Sequence, residues 1–176
     1  MKKILFILFL SFISLSQISC GYSTRSSIPS HIHTLYVEPF KNSIGFTSEG
    51  KRNIYLPLLE VKSRNTVIDR FVFDGNLKIV KSGESDLLLK GELKNYERSG
   101  LRFTDNDDVQ EYRVTITVSL EMWDQTKGEI MWKEPSFSGE ATYFVGGPQA
   151  SSEEDAINRA MTDLANRVVE RTVEDW

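Results

Sequence analysis

The residues able to do chemistry in this 176-residue chain are few and far apart. Cys20 is the one cysteine, so it cannot close an internal disulfide; it is a buried thiol, a reactive group or an attachment point. His31 and His33 stand two apart and would share a strand face, but a metal site needs three or four ligands and no cluster of donors stands nearby. Asp105, Asp107 and Asp108 begin like a calcium loop, yet Gln110 holds the sixth position, where Gly is required, and Ile116 the twelfth, where Glu is required. Gly146-Gly147 lacks the Lys-Ser/Thr of a phosphate loop, and no G-x-S-x-G occurs. Glu153 and Glu154 read as the solvated first turn of a helix, where carboxylates favour the dipole. No catalytic residue, no metal and no cofactor are expected, and the chain reads as a non-enzyme.

That leaves Cys20 and its surroundings. Met1-Lys2-Lys3 is followed by an apolar run from Ile4 to Leu15, broken only by Ser11 and Ser14, which is the layout of a secretory signal. A core of about 12 residues is too short to cross ~30 Å of hydrocarbon, which takes about 20. The run ends Gln17-Ile18-Ser19-Cys20. This is similar to the bacterial lipobox: Ser19 has the small side chain the peptidase needs, while Gln17 stands where Leu is usual. A plain signal peptide with a chance cysteine is the alternative. If the lipobox holds, the Cys20 thiol becomes a thioether and the N-terminus carries acyl chains, a covalent lipid in place of any cofactor. Each buried CH₂ contributes about 0.8 kcal/mol, so two or three chains make a firm anchor. Gly21, rather than Asp, favours the outer membrane by the enteric sorting pattern.

The expected organisation is a signal peptide over 1–19, a lipidated N-terminus and flexible spacer over 20–33, and a single domain over 34–176. Loss of Lys2 and Lys3 with the signal leaves 19 basic against 25 acidic residues, a net charge of −6. An acidic surface argues against nucleic acid as a partner.

Pattern along the domain supplies the elements. Thr34–Phe40 reads as a strand and 41–53 as a loop. A helix runs from Pro57 to Asp74-Gly75, with Leu58, Val61, Ile68 and Val72 as its packed stripe, interrupted at Asn65. Strands follow at Leu77–Val80 and Asp86–Arg98, then a loop over 99–108. Tyr112 to Trp123 alternates apolar and polar residues strictly over twelve positions, a strand with one buried face. A turn at Asp124–Gly128 leads into Glu129–Lys133, Pro135 marks a bulge, and Phe137–Val145 continues the strand. After Gly146-Gly147-Pro148, the run Ser151-Ser152-Glu153-Glu154 is a capping box. In the helix it opens, Ile157, Ala160, Met161, Leu164 and Val168 form the packed stripe; Glu153, Asp155, Arg159, Asp163, Arg167 and Glu170 face water. The fold class is α+β, two helices on one face of a mixed, mainly antiparallel sheet of about four to five strands.

Taken in order, Cys20-Gly21-Tyr22, Thr34–Phe40, Phe71–Val80, Ser85–Arg98, Tyr112–Asp124 and Ser152–Glu170 resemble the LptE family of lipopolysaccharide-assembly lipoproteins. The resemblance implies a non-enzymatic, lipid-anchored protein on the periplasmic leaflet of the outer membrane. Such proteins plug and help assemble the LptD barrel and contact lipopolysaccharide on its way to the surface. Arg98, Arg102, Lys127 and Lys133, at expected strand ends, are then the candidates for lipopolysaccharide phosphates, and Trp123 and Trp132 for the barrel wall. As residues alone, the four cations are ordinary solvated surface, and the two tryptophans are a cross-hairpin pair. The alternative role is a generic envelope lipoprotein module that binds a protein or peptidoglycan in another secretion or Tol-type system.

Overall fold

The alternation over Tyr112–Trp123 becomes a long strand at the heart of the sheet in the computed structural model, which describes residues 28–44 and 58–173. The elements in chain order are β1 (Thr34–Val37), β2 (Lys41–Asn42), α1 (Leu59–Asp74), β3 (Lys78–Ile79), β4 (Leu87–Phe103), β5 (Val109–Asp124), β6 (Glu129–Phe144) and α2 (Glu153–Val173). The sheet order is β3-β1-β4-β5-β6, with the two-residue β2 also paired to β4. Pairing is parallel among β3, β1 and β4 and between β2 and β4, and antiparallel across β4, β5 and β6. The architecture is α+β as expected, with six strands where four to five were read.

Val114, Ile116, Val118, Leu120 and Met122 of β5 and Leu87, Leu89 and Leu93 of β4 are buried on one face. Each such side chain contributes about 1.5–3 kcal/mol relative to exposure. Both helices cover this face, and Ile157, Ala160, Met161, Leu164 and Val168 of α2 pack into it as their spacing predicts. The helix comes very close at Gly139, where a Cβ would lie 2.3 Å from the Ala160 carbonyl oxygen. The cap forms one residue later than read: Ser152 Oγ accepts from the Asp155 N–H at 3.0 Å, and the Asp155 carboxylate accepts from the Ser152 N–H at 3.4 Å.

Three expectations change. The loop over 99–108 shrinks to a turn over 104–108, because β4 continues to Phe103 and pairs as far as Phe103↔Val109. Backbone pairing with β5 outweighs the polar local composition there, and the Thr104 hydroxyl organises the turn by accepting from the Asn106 and Asp108 N–H groups. Second, α1 buries Leu59, Ser63, Val67 and Phe71, while Leu58, Val61 and Val72 point to solvent. The helix carries two apolar stripes, and the one seated on the protein is the one led by the large Phe71. Third, the packed chain reaches back into the stretch read as spacer: Ile32 is buried, Ile28 packs against the core, and the His33 carbonyl accepts from Lys78 N–H at 2.8 Å. Pro135 sits, as read, at a register shift: Val118 faces Phe137 while Leu120 faces Glu134. A proline has no N–H to give the ladder, so the strand bulges around it.

Candidate interaction surface

Because both helices lie on one face, the other face of β4, β5 and β6 is, among the described residues, left to side chains alone. It carries Lys90 and Glu92 from β4, Arg113, Thr115, Thr117, Ser119, Glu121 and Trp123 from β5, and Lys133 and Glu140 from β6. Charges on it are paired across strands: Lys133 meets Glu121, its register partner, and Arg113 meets Glu140 at 3.5 Å. The hydrogen bond from Lys133 holds the Glu121 carboxyl below the ordinary carboxylate range. Lys90 lies 4.6 Å over the Trp123 ring. Beside them Glu38, Lys41, Lys90, Glu92, Ser119 and Glu121 line a shallow polar groove of about 160 Å³. Its rim is braced by Lys94 at 2.6 Å from Glu92 and by a hydrogen bond from the Ser43 hydroxyl to the same carboxylate.

The candidate cations do not converge. Lys127 belongs to the β5–β6 turn, half-exposed, 3.8 Å from Asp124 and 3.6 Å from Glu129. Asp124 is buried and shapes that turn by accepting from the Thr126 hydroxyl and the Thr126 and Lys127 N–H groups. Burial pushes its carboxyl up, but these donors and Lys127 outweigh it and hold the group low. Arg102 lies toward the opposite end of the sheet, exposed, 3.6 Å from Glu111 and over the Phe144 ring. A strand of 17 residues spans roughly 55 Å, so Arg102 and Lys127 cannot serve one phosphate group.

Arg98 is committed inside the fold. Its Nη1 lies 2.6 Å from Glu153 Oε2 and donates to the Tyr143 hydroxyl at 3.3 Å. Tyr96 donates to Glu153 Oε1 at 2.7 Å. The guanidinium stacks 4.4 Å over Tyr112, which itself stacks on Tyr143. Arg98 is 18 % and Glu153 25 % exposed, so the pair works in a partly dry setting. Burial raises the Glu153 carboxyl, yet the Tyr96 hydrogen bond and the Arg98 charge win and keep it ionised. Burial and the adjacent carboxylate push the Tyr96 hydroxyl far above its usual range. Glu153 is therefore not a solvated first-turn acid, and the correction has a plain cause: β4 runs past the start of α2 and brings Tyr96 and Arg98 under it.

The tryptophans also part. Trp123 faces the open side, but Trp132 pairs with Met122 on the helix side and is only 8 % exposed, beneath Arg171. The shift between Met122 and Trp123 separates the two, so they do not pair across the hairpin, and Trp132 serves the core rather than an outer wall. Cys20, the signal peptide expected over 1–19 and most of the loop read over 41–53 lie outside the described residues; the first two residues of that loop, Lys41–Asn42, instead form β2 by pairing with β4.

Sequence reasoning missed one feature of the β6 edge. Arg159, Asp163 and Arg167, read as facing water, reach its outward backbone. Arg159 Nη2 donates to the Thr142 carbonyl at 2.6 Å, the Glu140 N–H donates to Asp163 at 3.0 Å, and Arg167 Nη1 donates to the Ser138 carbonyl at 2.7 Å. Arg171 meets Glu134 at 3.5 Å. Charged residues four apart beside an apolar stripe were the available signal. They act as a substitute strand along an edge that would otherwise template pairing with another chain.

Among known proteins, the model of the LptE lipopolysaccharide-assembly family matches residues 32–172. Comparison with curated proteins gives no match. Solved structures with a similar fold include an uncharacterized lipoprotein B from Nitrosomonas europaea, at 13% identity and TM-score 0.54, covering 89% of this chain and 91% of that one. A protein from Xanthomonas campestris is similar at 14% identity and TM-score 0.52, with 85% and 90% covered. A minor lipoprotein from Acinetobacter baumannii matches at 12% identity and TM-score 0.51, with 80% and 92% covered. At such identities these structures speak to fold alone. The family match spans the helix-backed sheet almost from end to end, and on it the chain belongs to the LptE lipopolysaccharide-assembly family.

Proposed function

We propose that this protein is a non-enzymatic lipoprotein of the outer membrane, held on the periplasmic leaflet by acyl chains at Cys20. It plugs and helps assemble an LptD-like β-barrel and contacts lipopolysaccharide in transit. The observation that carries the barrel partner is the sheet face that no described residue covers: three strands of 16 or 17 residues, polar through the middle from Lys90, Glu121 and Lys133 to Arg113 and Glu140, with Leu88, Trp123 and Ile130 at one end and Phe144 at the other. Such a face is roughly 50 Å long, more than the ~30 Å of hydrocarbon a barrel crosses. The lumen of a large barrel is polar, which suits paired charges and hydroxyls better than an apolar wall. Arg102, Lys127 and Lys133 are the exposed candidates for phosphate contact, and Trp123 for the barrel.

A tagged chain purified from detergent-solubilised membranes, with mass spectrometry of its mature N-terminus, tests the proposal. Acylated Cys20 together with a stoichiometric barrel of far larger mass supports it. Acylated Cys20 without a barrel favours the generic envelope module instead. A free thiol at Cys20 removes the anchor. For the ligand, Lys127→Glu with Lys133→Glu weakens lipopolysaccharide binding and its salt dependence, and unchanged binding takes both residues off the contact surface.

A further inference from the structure

The last turn of α1 holds the most exposed apolar side chains on the helix: Val72 is 62 % and Phe73 81 % exposed, with the Arg70 guanidinium 5.1 Å from the Phe73 ring. The chain path fixes where they lie. Gly75, at φ 78°, ends the helix and its N–H returns to the Phe71 carbonyl. Lys78 then pairs with Thr34 at the start of β1. The residues leading into β1 turn back at the same end, where the Ile32 N–H donates to the Pro29 carbonyl and Ile28 packs on the core. Phe73 and Ile28 therefore share one end of the sheet. The β5–β6 turn also lies there, since Leu87 pairs with Asp124. The 104–108 turn lies at the other end.

Ile28 lies eight residue steps after Cys20, and even fully extended these reach at most about 28 Å. A bilayer holding acyl chains at Cys20 is thus kept close to this end of the molecule. We propose that the Val72–Phe73 turn is a membrane-contact site that inserts into the phospholipid surface beside the anchor. This rests on the anchoring of Cys20 proposed above. The partner is a lipid surface bound by insertion rather than by charge: Arg70, Lys78, Lys81 and Lys127 at this end are outnumbered by Asp69, Asp74, Glu84, Asp86, Asp124 and Glu129, so there is no positive excess. An aromatic ring with a cation over it is suited to the boundary between acyl chains and headgroups. The contact adds a second point of attachment beside the anchor.

The test uses the full mature chain in liposomes of zwitterionic phospholipid. Acylation consumes the single native thiol, so Val72→Cys offers one site for a nitroxide, and Asn106→Cys in the far turn is the control. The expected result is a label at 72 that relaxes several-fold more with oxygen than with a water-soluble nickel complex, unaffected by salt, while a label at 106 shows the reverse. Phe73→Asp in the Val72→Cys background abolishes the preference. A label at 72 that follows the nickel complex, with Cys20 shown acylated by mass, overturns the contact and leaves the anchor standing. A label at 72 shielded from both reagents points to a protein cover and also overturns it. A free Cys20 thiol removes the anchor and this contact together.

Discussion

Arg98 of β4 and Glu153 in the first turn of α2 meet at 2.6 Å, and this pair joins the long hairpin to the helix that backs it. Three tyrosines enclose it, two donating to the carboxylate and one stacked under the guanidinium. Arg98→Met leaves the carboxylate partly buried without its charge partner and should lower stability by about 1.5–3 kcal/mol, the range for hydrogen bonds to charged groups. Urea denaturation at pH 7 measures it. Pairing Arg98→Met with Glu153→Gln should recover part of the loss.

The same carboxylate sets a pH dependence. Its folded pKa lies below the ordinary 4.5, so its stabilisation is fully present above 4.5 and is lost as pH falls through the folded value. Between pH 6 and 3 the wild-type urea midpoint should fall further than that of Glu153→Gln. Equal slopes would show that the pair does not favour ionisation.

Two glycines should respond differently to alanine. At Gly139 the new Cβ meets Ala160 and Leu164 backbone atoms at 2.3 and 2.5 Å, so α2 itself must move, at a cost of about 1–3 kcal/mol or more. At Gly91 the obstacle is the Phe40 ring at 2.4 Å, a side chain that can be replaced. Thermal melts should therefore show Gly91→Ala rescued by Phe40→Leu, and Gly139→Ala rescued by no side-chain change in the sheet.

Removing the charged cover of β6 should expose its edge. Arg159→Ala, Asp163→Ala and Arg167→Ala together forfeit three hydrogen bonds of about 1 kcal/mol each at most, since all are exposed. The larger effect should be association: the apparent molar mass from light scattering is expected to rise with concentration in the triple variant and stay flat in the wild type.

Losing the Ser152 hydroxyl should cost about 1 kcal/mol, because the Asp155 N–H at the start of α2 loses its acceptor. Ser151→Ala, one residue outside the observed cap, should be close to neutral in the same denaturation series.

What the sequence determined by itself is whatever depends on one local period. Twelve alternating residues could only be a strand with one buried face, and β5 buries the face they name. The stripe from Ile157 to Val168 and the hydroxyl before it define α2 to within a residue at its start. The bulge at Pro135 follows from a missing N–H. None of these needs knowledge of a distant residue.

Only the tertiary structure decided matters that require two surfaces to meet. The first helix presents two apolar stripes, and which one is buried depends on how Phe71 seats against the rest of the fold. Arg98 read as a free strand-end cation until β4 proved long enough to pass beneath Glu153. Trp132 read as a partner surface until register set it opposite Met122, under α2. Arg159, Asp163 and Arg167 read as solvated until α2 was laid along the β6 edge, where unpaired backbone groups draw charged side chains more strongly than water does. Spacing specifies which residues share a face, but only packing specifies what that face meets.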